Sequence, residues 1–217
     1  MKSKRKTLIT AVLALMVIAM VGVGTYYWYN NTYYVSTEDA TVTSDLVKAG
    51  PQISGKLLEL YVNEGQHVEK GQIIARQDMG TLPDTSLEMS IVRAPITGTV
   101  IKKQGTVGEI VSPGQSLAIM IDPSAIYINA NIEETKLEKL KIGQPVDITV
   151  DEYGGSKLTG KVQSIGEATA ATFSLLPTSS GGTFTKVTQK VPVKIKLDKY
   201  NVKLQPGISV VAKIHVK

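Results

Sequence analysis

The hydrophobic pattern divides the chain sharply near residue 30. A short basic start, Met1-Lys-Ser-Lys-Arg-Lys6, is followed by a run from Leu8 to Tyr29 without a charged side chain. About 20 apolar residues at roughly 1.5 Å rise span about 30 Å, the hydrocarbon thickness of a bilayer. The pattern predicts a transmembrane helix over 7–29, with residues 1–6 as a basic cytoplasmic tail and everything after residue 30 on the opposite side. Tyr26, Tyr27, Trp28 and Tyr29, with Tyr33 and Tyr34, hold the one tryptophan and five of the nine tyrosines. Amphipathic rings collect at headgroup level, so 30–36 reads as an interfacial linker, and Leu8, Tyr26, Tyr27, Trp28 and Tyr29 as the anchor and its interface. The alternative is a cleaved leader with Gly22-Val23-Gly24 at the cut. The apolar run is long for such a leader, and an uncleaved anchor is the reading adopted.

From residue 37 the period changes to two. Ile126, Ile128, Ala130 and Ile132 share one face, as do Val146, Ile148 and Val150, then Val191, Val193, Ile195 and Leu197, and finally Ile208, Val210, Ala212, Ile214 and Val216. Glu133 to Leu140 is the one soluble helix the pattern predicts, amphipathic through Leu137 and Leu140 and ended by Gly143. These strands and one short helix predict a small closed β barrel over 123–217, completed by a first strand over 37–50. Closure matters because it leaves no unpaired edge.

Between these parts the chain repeats itself at an offset of 43 residues. Ile53, Gly55, Gly65, Val68, Gly71, Gln72 and Ala75 return as Ile96, Gly98, Gly108, Val111, Gly114, Gln115 and Ala118. Glycines at matching places imply matching turns, through positive φ or close backbone approach. Two copies of one strand-turn-strand unit over 51–122 predict a flattened barrel with quasi-two-fold symmetry.

Composition narrows the chemistry. Cysteine is absent and the only histidines are His67 and His215, which leaves no thiolate nucleophile and little material for a metal centre or triad. Both histidines read as surface residues. Four of the 24 basic residues sit at Lys2, Lys4, Arg5 and Lys6, so the rest of the chain is nearly neutral. No basic patch with interleaved aromatics supports nucleic-acid binding. Glu133, Glu134 and Glu138 alternate with Lys136 and Lys139, which fits a solvated helix start better than acid–base catalysis. Gly154-Gly155 and Gly181-Gly182 read as turns rather than phosphate loops. Thr169–Thr185 is too irregular for a core strand. Phe173, Leu175 and Leu176, with Phe184, are its candidate contacts to a transporter or to another copy of the chain, against the plainer reading of a long connection.

With Arg93-Ala-Pro-Ile-Thr-Gly98 opening its second copy, the repeat resembles the two halves of a biotinyl/lipoyl domain. Carrier domains take their prosthetic group on a lysine between the halves, and no lysine lies between Lys70 and Lys102. The carrier-enzyme reading therefore fails, and no cofactor is expected. The same split motif, with Thr37-Glu-Asp-Ala-Thr-Val42, Asn131–Val146, Ala171–Pro177, Phe184–Val193 and Lys203-Leu-Gln-Pro-Gly207, is similar to the membrane fusion protein (periplasmic adaptor) family, in its HlyD-like and EmrA-like branch.

That resemblance implies a mainly β protein: an N-terminal transmembrane helix, a lipoyl-like flattened barrel and a β-barrel adaptor domain. It implies no catalysis, an inner-membrane exporter of the major-facilitator type as partner, membrane lipid around the helix, and self-assembly. The bulk of the chain would be extracytoplasmic and the N-terminus cytoplasmic. The family usually carries a long helical hairpin between its lipoyl halves. Here about a dozen residues, Met79 to Ser90, fill that place. Fully helical they would reach only about 18 Å, and Gly80 and Pro83 favour a loop. Direct contact with an outer-membrane channel is accordingly not expected. The competing class is a stand-alone envelope binding or structural protein.

Overall fold

The structure is a computed structural model, and it describes residues 2–78, 88–150, 156–168, 188–198 and 204–217, with side chains from residue 12 onward. One long helix, α1 (Lys2–Tyr33), precedes fourteen strands among the described residues. Its stretch Val12–Tyr33 has a mean hydropathy of 1.7 and no buried residue. A helix apolar on every side has no single face to lay on a protein core and is suited to lipid. The chain divides into two compact units, one holding α1 and the barrel strands, the other the repeat.

The barrel unit is built from β1 (Tyr34–Thr43), β10 (Tyr127–Glu133), β11 (Pro145–Val150), β12 (Ser156–Ile165), β13 (Lys190–Leu197) and β14 (Ser209–His215). They close in the order β1-β10-β13-β12-β11-β14. The alternation is what closes it. Ile128, Ala130, Ile132, Val146, Ile148, Val150, Val193, Ile195, Val210, Ala212 and Ile214 all turn inward and are buried. A fully buried side chain of this size contributes about 1.5–3 kcal/mol, so such a core favours one strand register over its one-residue slip.

Four expectations about this unit need correction. The helix does not end at residue 29 before a linker. It continues through Tyr33, and β1 starts at Tyr34, which pairs with His215. The tyrosines and asparagines between lack a Gly or Pro to stop the helix, and ladder pairing takes over at once. The first barrel strand does not run over 37–50, since it spans Tyr34–Thr43 and Val47–Ala49 joins a different sheet. Ser44 is buried and Leu46 is 58% exposed, so the apolar phase is lost between the two strands. Glu133–Leu140 is not an α-helix but a 3-10 helix, Glu134–Lys139. Leu140 is extended and buried, and Gly143 sits in a separate turn with φ +89°. Ile208 and Val216 flank β14 and are only half-buried.

The second unit holds β2 (Val47–Ala49), β3 (Gly55–Leu60), β4 (His67–Val68), β5 (Ile73–Asp78), β6 (Ile91–Arg93), β7 (Gly98–Lys103), β8 (Ile110–Val111) and β9 (Ala118–Ile121). They form two four-stranded sheets, β2-β9-β7-β4 and β6-β5-β3-β8. Each copy of the repeat lends its short middle strand to the other copy's sheet, which is why neither half could bury its own core. Leu57, Val62, Val68, Ile74, Val100, Val111, Leu117 and Met120 pack into one apolar cluster.

The repeat's turns are equivalent in detail. Gln72 N–H donates to the Glu69 carbonyl at 3.0 Å and Gln115 N–H to the Ser112 carbonyl at 3.1 Å, with Gly71 and Gly114 at φ +87° and +92°. That is the geometry of a type II turn. In each, the glutamine Oε1 also accepts the amide at the turn's first residue, from Glu69 at 3.0 Å and Ser112 at 3.3 Å. Gly55 and Gly98 are not turn residues as the repeat suggested. They open β3 and β7, where a Cβ would lie 2.6 Å from the Asp78 carbonyl oxygen and 2.1 Å from that of Ile121. Close backbone approach, not positive φ, demands glycine there.

Candidate functional site

Helix α1 enters the barrel with no intervening loop, and side chains from three parts of the barrel unit gather at the joint. Val216 N–H donates to the Tyr33 carbonyl at 2.9 Å. Lys213 Nζ lies 3.9 Å from the centre of the Tyr34 ring and Lys217 Nζ 5.9 Å from that of Tyr33. Cation–π attraction of this kind contributes about 0.5–1 kcal/mol at exposed sites. Tyr29 stacks on Tyr33 at 4.6 Å and meets Tyr34 at 6.1 Å, so the aromatic belt turns from helix to strand as one group.

His215 belongs to this group and is not a plain surface residue. Its ring meets Tyr34 edge-on at 4.9 Å, and Nε2 lies 2.7 Å from Asp147 Oδ2 on β11. Its side chain is 31% exposed. His215 keeps the polar phase of β14, but Asp147 and the Tyr34 ring cover part of its imidazole. His67, in β4, is exposed.

On the other side of the joint, the 3-10 helix Glu134–Lys139 brings Lys139 Nζ within 3.0 Å of the Asn31 carbonyl. Lys136 pairs with Glu133 at 2.9 Å and holds that carboxyl below its ordinary range. Between this helix and the end of α1 lies a cleft of about 410 Å³, lined by Tyr27, Trp28, Asn30, Asn31, Tyr34, Lys136 and Lys139 among others. Tyr26, Tyr27, Trp28 and Tyr29 are each at least half exposed. The sequence marked the aromatic belt but missed the lysines, because they reach it only once the 3-10 helix has folded against the helix end.

A further cluster joins β1, β10 and β13. Lys190 Nζ lies 2.7 Å from Asp39 Oδ2, and Asn131 Nδ2 donates to Asp39 Oδ1 at 3.1 Å. The Lys190 hydrogen bond, then that of Asn131, holds the Asp39 carboxyl below its ordinary value. Thr37 Oγ1 donates to the Asn131 carbonyl at 2.9 Å, which closes the network. Among the described residues no group of His, Asp or Glu side chains gathers as a metal site. Leu8 lies in α1 without a described side chain, and Phe173, Leu175, Leu176 and Phe184 fall outside the described residues.

A sandwich of two interleaved half-motifs, a closed six-stranded barrel and one apolar helix together define the adaptor architecture. Comparison with known proteins agrees. The family profile of the RND membrane fusion protein barrel-sandwich hybrid domain matches residues 45–123, and that of the AAEA-like beta-barrel domain matches 125–216. The "Putative efflux system component YhbJ" of Bacillus subtilis is 35% identical over 214 residues, covering 98% of this chain and 94% of that one. The multidrug export protein EmrA of Escherichia coli is 35% identical over 135 residues, which are 60% of this chain but only 35% of that protein. In fold, the chain is similar to the solved periplasmic adaptor protein EmrA, with a TM-score of 0.56 at 16% identity over 84% of this chain and 98% of that one. The chain belongs to the membrane fusion protein family, in its EmrA-like branch.

Proposed function

We propose that this protein is the adaptor subunit of an efflux system, held in the inner membrane by α1 and partnered with an exporter of the major-facilitator type. Similarity to an efflux system component along nearly the whole chain is the observation that carries this reading. Its N-terminus lies in the cytoplasm, as the cluster Lys2, Lys4, Arg5 and Lys6 favours, and both β units lie outside. The protein performs no chemistry. Copies assemble around the exporter's exit and line or seal the path of the exported compound. The segment holding Phe173, Leu175, Leu176 and Phe184 supplies contacts to the exporter or to a neighbouring copy.

The short stretch between β5 and β6 sets the reach of the assembly. Asp78 and Ile91 are separated by residues 79–90 alone, too few for a long helical hairpin. YhbJ aligns with this chain almost end to end, so a relative of similar length shares this economy. The assembly therefore stops short of an outer-membrane channel. Co-purification from membranes tests the reading. An exporter should come down with the wild type and be lost from a Phe173→Asp/Leu175→Asp variant that still folds. Retention of the exporter by that variant would remove the proposed contact segment.

A further inference from the structure

We propose that the cleft where α1 meets the barrel binds the headgroup of an anionic phospholipid. The cleft holds about 410 Å³, within the roughly 300–1,000 Å³ typical of small-molecule sites. Among the described residues that line it, Lys136 and Lys139 carry the charge and none is acidic. Each ammonium is oriented by a partner, Lys136 by Glu133 at 2.9 Å and Lys139 by the Asn31 carbonyl at 3.0 Å. An ammonium has three donors, so each has others to offer to a phosphate oxygen. Glu133 neutralises part of the Lys136 charge, which leaves Lys139 as the stronger anion contact.

The position of the cleft selects the ligand. Trp28 and Tyr27 line it, 65% and 69% exposed as residues, at the end of the apolar span Val12–Tyr33. Tryptophan and tyrosine rest at headgroup depth. A phosphate there with its acyl chains beside α1 would meet the two ammonium groups and the Asn30 and Asn31 amides. Lys213 and Lys217, over Tyr34 and Tyr33, add positive charge at the same joint. Basic residues at the membrane interface attract lipids of net negative charge over zwitterionic ones. The lipid would fix the barrel's height and tilt above the membrane.

This inference rests on α1 spanning the membrane, which resistance of the full chain to carbonate extraction tests separately. Native mass spectrometry of the detergent-solubilised full chain, with phosphatidylglycerol or phosphatidylcholine added, then reads lipid retention. Wild type should retain phosphatidylglycerol preferentially. Lys136→Gln/Lys139→Gln should lower that preference about ten-fold or more, since each charge pair contributes about 1 kcal/mol even in water. Lys157→Gln/Lys161→Gln, at exposed positions of β12, should leave it intact. The single Lys136→Gln variant, which keeps the Lys139–Asn31 bond, should show a partial loss and guards against misfolding of the double variant. Equal retention of the two lipids, or a preference that survives the double substitution, would overturn the proposal. So would displacement of the lipid by excess inorganic phosphate, which would make the cleft a site for free anions.

Discussion

Val216 N–H donates to the carbonyl of Tyr33 at 2.9 Å, so the last residues of the barrel are tied to the last residue of α1. The joint is thus held by residues nearly two hundred positions apart rather than by a linker. Lys213 over Tyr34 reinforces it. Lys213→Ala and Tyr34→Ala, combined in a double-mutant cycle on thermal unfolding of the full chain in detergent, should show a coupling of about 0.5–1 kcal/mol. A coupling of zero would mean that the ring and the ammonium act independently.

The Asp39–Lys190 pair gives a pH signature. Asp39 is held below its ordinary value of 3.8 in the folded protein, mainly by Lys190. A depressed carboxyl stabilises the fold above the unfolded value, and that contribution is lost as pH falls through the folded value. Both side chains are nearly half exposed, at 45% and 47%, so solvent screening limits the effect to about 0.5 kcal/mol. Thermal unfolding of Asp39→Asn should fall slightly below wild type at neutral pH, and the two curves should converge below about pH 3.8. A gap that widens in acid would contradict the assignment.

Two glycines of the repeat should respond differently to alanine. At Gly98 a Cβ meets the Ile121 carbonyl oxygen at 2.1 Å, and backbone cannot step aside cheaply. Gly98→Ala should cost about 3 kcal/mol or more. At Gly108 a Cβ has nothing within 4 Å, and only the φ of +93° resists substitution. Gly108→Ala should cost about 1–2 kcal/mol. Denaturant unfolding of the two variants checks the order, and equal losses would show that the strand at Gly98 can shift.

Gln77 is 3% exposed and lies one repeat before Met120, which is fully buried. Its Nε2 donates to the Ile53 carbonyl at 3.2 Å, while Oε1 has no partner among the described residues. An unpaired buried acceptor is costly, and an apolar side chain of similar shape removes the cost. Gln77→Met also takes the donor from the half-buried Ile53 carbonyl, so the two effects offset and stability should stay within about 1 kcal/mol of wild type. Destabilisation well beyond that would reveal a partner for Oε1.

The legibility of this fold followed the range of its interactions. The apolar stretch of α1 and the barrel alternation through Ile128, Ile148, Ile195 and Ile214 are local patterns, and the folded chain keeps them. The repeat announced two equivalent halves but not their exchange of β4 and β8, which is a long-range pairing. Gln72 and Gln115 were visible only as identities, and their turn-capping role needs the side chain's position. His215 read as exposed because Asp147 lies 68 residues away in sequence. The strand break at Ser44 is not legible in the sequence, because an out-of-phase serine looks like an ordinary polar position. The cleft lysines read as part of a solvated helix face, since nothing local says that α1 ends beside them.

The proposed partnership with an exporter is tested most directly by photo-crosslinking in intact membranes. A photoreactive residue in place of Met20 of α1, 76% exposed on the apolar span, samples what lies beside the helix. Mass-spectrometric identification should return a multi-span inner-membrane exporter among the products. Adducts with lipid and with copies of this chain alone, in cells that express the exporter, would contradict that partnership.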